Sequence, residues 1–334
     1  MRLTILFILS LVLLACSEEP QYSKITGSTM GTTYSVIVKS DQASPQAIYQ
    51  DLEVELKDIN QLMSTYIPDS EINQFNQLQD DTCFTFSDKT WEVLLAAKTV
   101  YEETNGAFDI TLGPLISRWG FDADEYDERL PSDDEIEKLL AQVGTDKLHY
   151  DVAQQCISKK HPDITINLSA IAKGYGVDRV ANIVEQHGVH DYLVEIGGET
   201  KAKGVNPTGA AWRIAIEKPT GVKQQKMLLV GLSDTSIATS GDYRNYFKVD
   251  GKRFSHTIAP NTGYPVTHTL TSVSVVHASN MYADAYATAL TVMGSDKALV
   301  FAEKHQLPVF LIDYQDDKLI TQQSSLFSSL ILQQ

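Results

Sequence analysis

The 334-residue sequence has only three cysteines, and 43 acidic residues outnumber its 27 lysines and arginines. Three cysteines cannot build a disulfide framework, and no Cys/His spacing suggests zinc. A formal charge of −16 argues against nucleic-acid binding, which needs a basic surface to neutralise phosphates. The densest acidic runs, Asp122 to Glu128 and Asp133 to Glu137, read as solvated loop or helix surface. After residue 16 no apolar run approaches the roughly 20 residues a membrane helix needs.

The first sixteen residues differ from the rest. Met1-Arg2 is a short basic start, and Leu3 to Ala15 is apolar except for Thr4 and Ser10. A helix of that length spans about 20 Å, against about 30 Å for a hydrocarbon core, so a secretory signal fits better than a span. The segment ends Leu13-Leu14-Ala15-Cys16, which resembles the lipobox of bacterial lipoproteins and implies lipidation at Cys16. The expected organisation is a signal peptide over 1–15, a lipidated tether over 16–24 and one domain over 25–334. Cys83 and Cys156 then remain; they could pair in an oxidising periplasm, but sequence alone gives no proximity, and two separate buried thiols is the preferred reading.

Helix and strand patterns interleave without a repeat. Thr33 to Val38 reads as a strand. Ser44-Pro45 opens a helix with Leu52, Leu56, Ile59 and Met63 on one face. A second helix runs from Ser87 to Thr104 and stops at Asn105-Gly106; Ser132 and Glu135 form a capping box before a third. Ile164 to Leu168 alternates like a strand, a helix carrying Val177, Val180, Ala181 and Val184 follows, and Tyr192 to Ile196 is the next strand. Asp250-Gly251 marks a hairpin. Thr271 to His277 is a strand, helices cover 283–293 and 295–304, and a late strand covers 309–314. This mixture predicts an α+β fold of mixed sheets with packed helices, not a regular βαβ winding.

Five segments carry residues suited to chemistry. Asp284 and Thr288 stand four apart on a predicted helix, so a carboxylate and a hydroxyl share one face, as a hard cation such as Mg²⁺ prefers. The alanines at 283, 285, 287 and 289 suggest room for something to approach. Asn167 to Gly176 lies where a strand turns into a helix, a place where backbone N–H groups favour anions and Lys173 adds charge. Gly174-x-Gly176 lacks the third glycine of a dinucleotide fingerprint, with Arg179 standing there instead, so the fold is not Rossmann. His256, just after the hairpin, suits a general base, a nucleophile or a ligand. Gly106 to Pro114 is a short apolar strand with an acid, Asp109, fit to line a pocket or turn a corner. Tyr66 offers an aromatic face for a flat ring.

Taken together, these segments resemble the FAD:protein FMN transferases, the ApbE flavin transferase family. The resemblance is carried by Gly27-Ser28-Thr29-Met30-Gly31-Thr32, Met63-Ser64-Thr65-Tyr66, Gly106-Ala107-Phe108-Asp109, Asn167 to Gly176, Glu195-Ile196-Gly197-Gly198, Ser255-His256 and Ala283-Asp284-Ala285 with Thr288. It runs from about Gly27 to Gly294. It implies that Met30, Tyr66, Ala107, Phe108, Asp109, Asn167, Lys173 and Ile258 line a site for FAD as substrate. It implies that Asp284, Thr288 and the carbonyl of Ala170 hold magnesium. Some members have an acid where this chain has Asn167, and some have one where it has Ala287.

The implied reaction is magnesium-dependent transfer of FMN from FAD to a Ser/Thr hydroxyl of an acceptor protein, with release of AMP. His256 would act as base or as a transient FMN carrier. The acceptor is expected in a membrane redox complex, and the chain itself on the periplasmic side of the bacterial inner membrane. Two alternatives use the same residues differently. A FAD pyrophosphatase would put water in place of the acceptor hydroxyl, and a non-catalytic flavin-binding lipoprotein would need neither metal nor His256.

Overall fold

A computed structural model describes residues 21–41, 43–121, 130–220, 225–241, 246–249 and 252–332. The signal segment, Cys16 and the hairpin residues Asp250-Gly251 lie outside the described residues. The chain opens with a hairpin, β1 (Tyr22–Thr29) and β2 (Thr32–Lys39). Its two-residue turn, Met30-Gly31, has φ of 49° and 70°, the left-handed pair that matches strand twist. Three residues expected in the tether, Tyr22 to Lys24, therefore belong to a paired strand.

Helix α1 (Pro45–Met63) begins where Ser44 accepts the Ala47 N–H, and it buries Ile48, Leu52, Leu56, Ile59 and Met63 along one face. Short α2 (Glu71–Asn76) and β3 (Phe84–Thr85) lead to α3 (Asp88–Glu103), which Ser87 caps. Asn105 and Gly106, both at positive φ, turn the chain out of α3. After α4 (Gly113–Arg118), α5 (Asp133–Leu140) starts with the expected Ser132–Glu135 capping box. Then come β4 (Leu148–Asp151), β5 (Cys156–Lys159) and α6 (Ala172–Gln186), followed by β6 (Tyr192–Ile196) and β7 (Glu199–Lys203). The rest comprises β8 (Trp212–Glu217), β9 (Lys226–Leu232), β10 (Thr235–Gly241), β11 (Tyr246–Val249), β12 (Lys252–Ser255), β13 (Leu270–His277), α7 (Asn280–Met293), α8 (Ser295–Lys304), β14 (Val309–Gln315) and β15 (Lys318–Gln323).

Among the described residues, eight strands form one sheet in the order β1-β2-β6-β7-β10-β13-β14-β15, with every neighbouring pair antiparallel. Alternation along the strands divides two cores. On one face Val36, Val38, Val194 and Ile196 meet α1 and α6, while Ala238, Val273 and Val275 meet α7. On the other, Ile237, Val276, Phe310 and Ile312 pack with Trp212 and Val230 of the β8–β9 hairpin and with Phe327. The α+β expectation holds, with antiparallel ladders in place of βαβ units. Among the described residues no helix is long and apolar enough to cross a membrane.

Three expectations change. Cys83 and Cys156 are not separate thiols but a disulfide, with Cα atoms 5.4 Å apart across 73 residues of chain. The β3–β5 pairing, Thr85 opposite Cys156, brings them together, a proximity that spacing cannot reveal. Residues 164–168 join no ladder among the described residues. Ile164, Ile166 and Leu168 are buried, while the Ile166 N–H donates to Asn76 Oδ1 and the Asn167 N–H donates to the Ile110 carbonyl. The segment around Asp109 is a turn rather than a strand, because Asp109 Oδ1 accepts the Thr111 N–H two residues on.

Candidate active site

Helices α6 and α7 cross at their first turns, and Gly174 makes this crossing possible. A Cβ at Gly174 would lie 2.4 Å from the Asn280 carbonyl oxygen and 2.8 Å from Asp284 Cβ. Without one, the Gly174 N–H donates to Asp284 Oδ2 at 3.0 Å. This N–H belongs to the first turn of α6, whose donors have no partner within the helix, so the carboxylate both fills a vacancy and meets the positive end of the dipole. Asp284 is only 6% exposed. Half-buried Ala170 lies in the turn that precedes α6, and half-buried Thr288 follows Asp284 by one helical turn on α7.

Lys173 adjoins this contact. Its ammonium pairs with Glu199, which is 3% exposed and opens β7. Burial, opposed by the Lys173 charge, pushes both the Glu199 and the Asp284 carboxyls up; the two acids also repel one another. The second Glu199 oxygen, Oε2, is buried with no hydrogen-bond partner among the described residues. The alanines at 283, 285, 287 and 289 leave no opening here. All four are fully buried, and their small size instead lets α7 pack closely within the core.

Met30 reaches the same helix from the β1–β2 turn. A Cβ on Gly176 would come within 3.0 Å of Met30 Cε, so the thioether lies against the glycine face of α6. Beside that turn, Ser28 to Thr33 and the α1 residues Glu53, Lys57 and Asn60 line an open groove.

Two asparagines of α2 tie further segments together. Asn73 Nδ2 donates to the carbonyls of Thr65 and Ile67, fixing the backbone on both sides of Tyr66. Asn76 donates to the Ile166 carbonyl and accepts its N–H, fixing the backbone just before Asn167. The Asn167 side chain folds onto its own turn, accepting the Ser169 N–H. Asp109 accepts from Thr111 and Thr145, from N–H and hydroxyl of each, and so anchors the turn carrying Ala107 and Phe108. Tyr66, 65% exposed, keeps its ring accessible, while Phe108 is buried in the core and Ala107 half-buried.

His256 and Ile258 sit in a second cluster. Ile258 is buried with Leu112, Leu115, Trp119 and Ile136, and the half-buried His256 ring meets the Phe121 ring edge-on at 6.3 Å. The chain from Ala107 to Phe121 joins this cluster to the first, since Gly113 lies directly against Thr165, near Asn167. The sequence reading missed Glu199, Asn73 and Asn76. Glu199 directly follows the Glu195-Ile196-Gly197-Gly198 motif, which was the only available signal. The others become visible only through their partners in space.

The fold and the sequence are similar to those of known proteins. The sequence profile of the ApbE family matches residues 30–311. The chain is 42% identical to the FAD:protein FMN transferase of Haemophilus influenzae over 329 residues, covering 96% of this chain and 95% of that protein. It is 40% identical to the FAD:protein FMN transferase of Vibrio cholerae, covering 99% of each. Among solved structures, the flavin transferase ApbE from Vibrio cholerae matches with a TM-score of 0.86 at 38% identity, covering 93% of this chain and 99% of that one. The ApbE protein of Thermotoga maritima matches with a TM-score of 0.85 at 28% identity, covering 94% and 100%. With a profile match over most of its length and relatives this similar from end to end, the chain belongs to the ApbE family.

Proposed function

We propose that this enzyme transfers FMN from FAD to a Ser/Thr hydroxyl of an acceptor protein, with Mg²⁺ bound and AMP released. The observation that carries the reading is the Gly174–Asp284 hydrogen bond, which couples the Asn167–Gly176 turn to the helix bearing Asp284 and Thr288. The relatives named FAD:protein FMN transferase support FAD as donor and protein as acceptor.

The residues present fit a hard divalent cation. Among the described residues, Asp284 and Glu199 are two buried carboxylates beside one ammonium, and Glu199 Oε2 is buried without a partner. Such a site is short of positive charge. Asp284, Thr288 and the Ala170 carbonyl are all oxygen donors, the type such ions take. Bound there, the cation would neutralise charge developing on the phosphates.

In this reading Lys173 adds charge at the helix terminus that receives the pyrophosphate. Tyr66 and Met30 offer apolar faces to the flavin, and Asn73, Asn76 and Asp109 hold the backbone beneath. The acceptor hydroxyl oxygen bonds to the FMN phosphorus, the bond from that phosphorus to the bridging oxygen breaks, and AMP leaves. His256 takes the hydroxyl proton. Quenched digests that carry FMN on His256 would reassign it as a covalent carrier.

We further propose lipidation at Cys16 after removal of 1–15, and action at the periplasmic face of the inner membrane on a subunit of a redox complex. The Cys83–Cys156 disulfide supports an oxidising compartment. The experiment is to incubate the purified chain with FAD, Mg²⁺ and a candidate acceptor and to weigh the acceptor. An FMN mass gain is expected. Fast FMN release that ignores the acceptor would favour the pyrophosphatase, and tight FAD binding without turnover would favour a binding lipoprotein.

A further inference from the structure

The Lys173–Glu199 pair is built differently at its two ends. Glu199 is 3% exposed, whereas the Lys173 side chain is 31% exposed. The acid is thus the fixed member, and the lysine side chain is the partly exposed one. The fixing is local and stiff. Gly197 and Gly198, at φ of 62° and 111°, make a two-residue turn between β6 and β7, with Ile196 paired opposite Glu199. Glu195 Oε1 accepts the Gly198 N–H at 2.7 Å and braces that turn. Glu199 is therefore the first residue of a central strand, and the next residue, Thr200, is tied through its carbonyl to Asn280 Nδ2 at the start of α7.

A lysine has four rotatable stem bonds, and holding its ammonium in one place costs side-chain entropy. A buried carboxylate that holds it beforehand removes that cost from ligand binding. A buried ion pair contributes little net stability, so folding alone does not explain this one. We infer that Glu199 is a positioning residue: it orients the Lys173 ammonium toward the FAD pyrophosphate and acts on substrate only through Lys173. This inference rests on the placement of Lys173 in the FAD site proposed above.

The test is a double-mutant cycle on FAD binding, read by quenching of flavin fluorescence in EDTA so that neither metal nor turnover enters. The variants are Glu199→Gln, Lys173→Met and the double variant, each with its melting temperature. Lys173→Met should weaken FAD binding about tenfold, the scale of one charge-assisted contact. Glu199→Gln should weaken it about fivefold in the parent and less than twofold beside Lys173→Met, because the coupling is then gone. Its melting temperature, read alongside, separates loss of folding from loss of lysine positioning, because removing one partner leaves the Lys173 charge less compensated. Equal weakening in both backgrounds, or parent-like binding by Glu199→Gln beside a weakened Lys173→Met, would overturn the inference. Parent-like binding by Lys173→Met would instead overturn the placement of Lys173 at FAD. Glu199→Asp, which keeps the charge on a shorter stem, should bind between parent and Glu199→Gln.

Discussion

Asp178 and Asp284 each accept a backbone N–H from the first turn of the other's helix. Asp284 on α7 takes the Gly174 N–H of α6, and Asp178 on α6 takes the Met281 N–H of α7 together with the Ser279 hydroxyl. Lys201 donates to Asp178 from β7. The exchange satisfies donors that neither helix can satisfy alone and locks the two helix starts in register.

Asp178→Ala should cost about 2 kcal/mol of stability, the scale of losing hydrogen bonds to a charged group. It should also raise the magnesium concentration needed for half-maximal transfer, because α7 carries Asp284 and Thr288. Denaturant midpoints and a magnesium titration measure the two effects. An unchanged magnesium requirement would separate the clamp from the site.

Gly174→Ala tests the same crossing by volume. The added methyl has no free space against the Asn280 carbonyl. Overpacking of this kind costs about 1–3 kcal/mol, and transfer activity should fall further than stability because the Gly174–Asp284 bond is pushed apart. Parent-like activity in a stable variant would count against the crossing as the site's foundation.

Asp284→Ala should abolish magnesium-dependent FMN transfer while leaving the circular dichroism spectrum intact. EDTA should do the same to the parent protein, reversibly. Full magnesium-dependent activity in the variant would sink the metal assignment.

The Cys83–Cys156 bond closes a loop of 73 residues that holds α3, the Asp109 turn and α5. Chain-entropy arguments give a loop of that size about 4 kcal/mol of stabilisation. Reduction with dithiothreitol, or Cys83→Ser, should lower the denaturant midpoint accordingly. A midpoint indifferent to reductant would show that the bond does not form.

Asn76→Ala removes both partners of the Ile166 backbone and should cost about 1–3 kcal/mol. It should loosen FAD binding too, since Asn167 is the next residue. A titration of FAD against the variant checks this, and unchanged affinity would confine Asn76 to a folding role.

Much of the molecule could be read directly from local chemistry. Ser44, Ser87 and the Ser132–Glu135 box cap helices wherever they stand, and Asn105-Gly106 turns the chain because left-handed φ is cheap there. Asp284 and Thr288 share a helix face by periodicity alone, and the resemblance of the ordered motifs carried the family. What the sequence could not decide were relations between distant residues. Alternation at Ile164–Leu168 described burial correctly but not the partner, because Asn76 substitutes for a neighbouring strand. The alanines of α7 signalled small size, yet only packing could show that a helix and a sheet, rather than a ligand, use it. Cys83 and Cys156 are joined because β3 pairs with β5, and Glu199 meets Lys173 because a Gly-Gly turn aims it across the α6 terminus. Local propensity and side-chain chemistry are properties of a few neighbouring residues and are written in the sequence. Which buried acid faces which cation depends on how the whole chain closes around its core, and that was decided only by the tertiary structure.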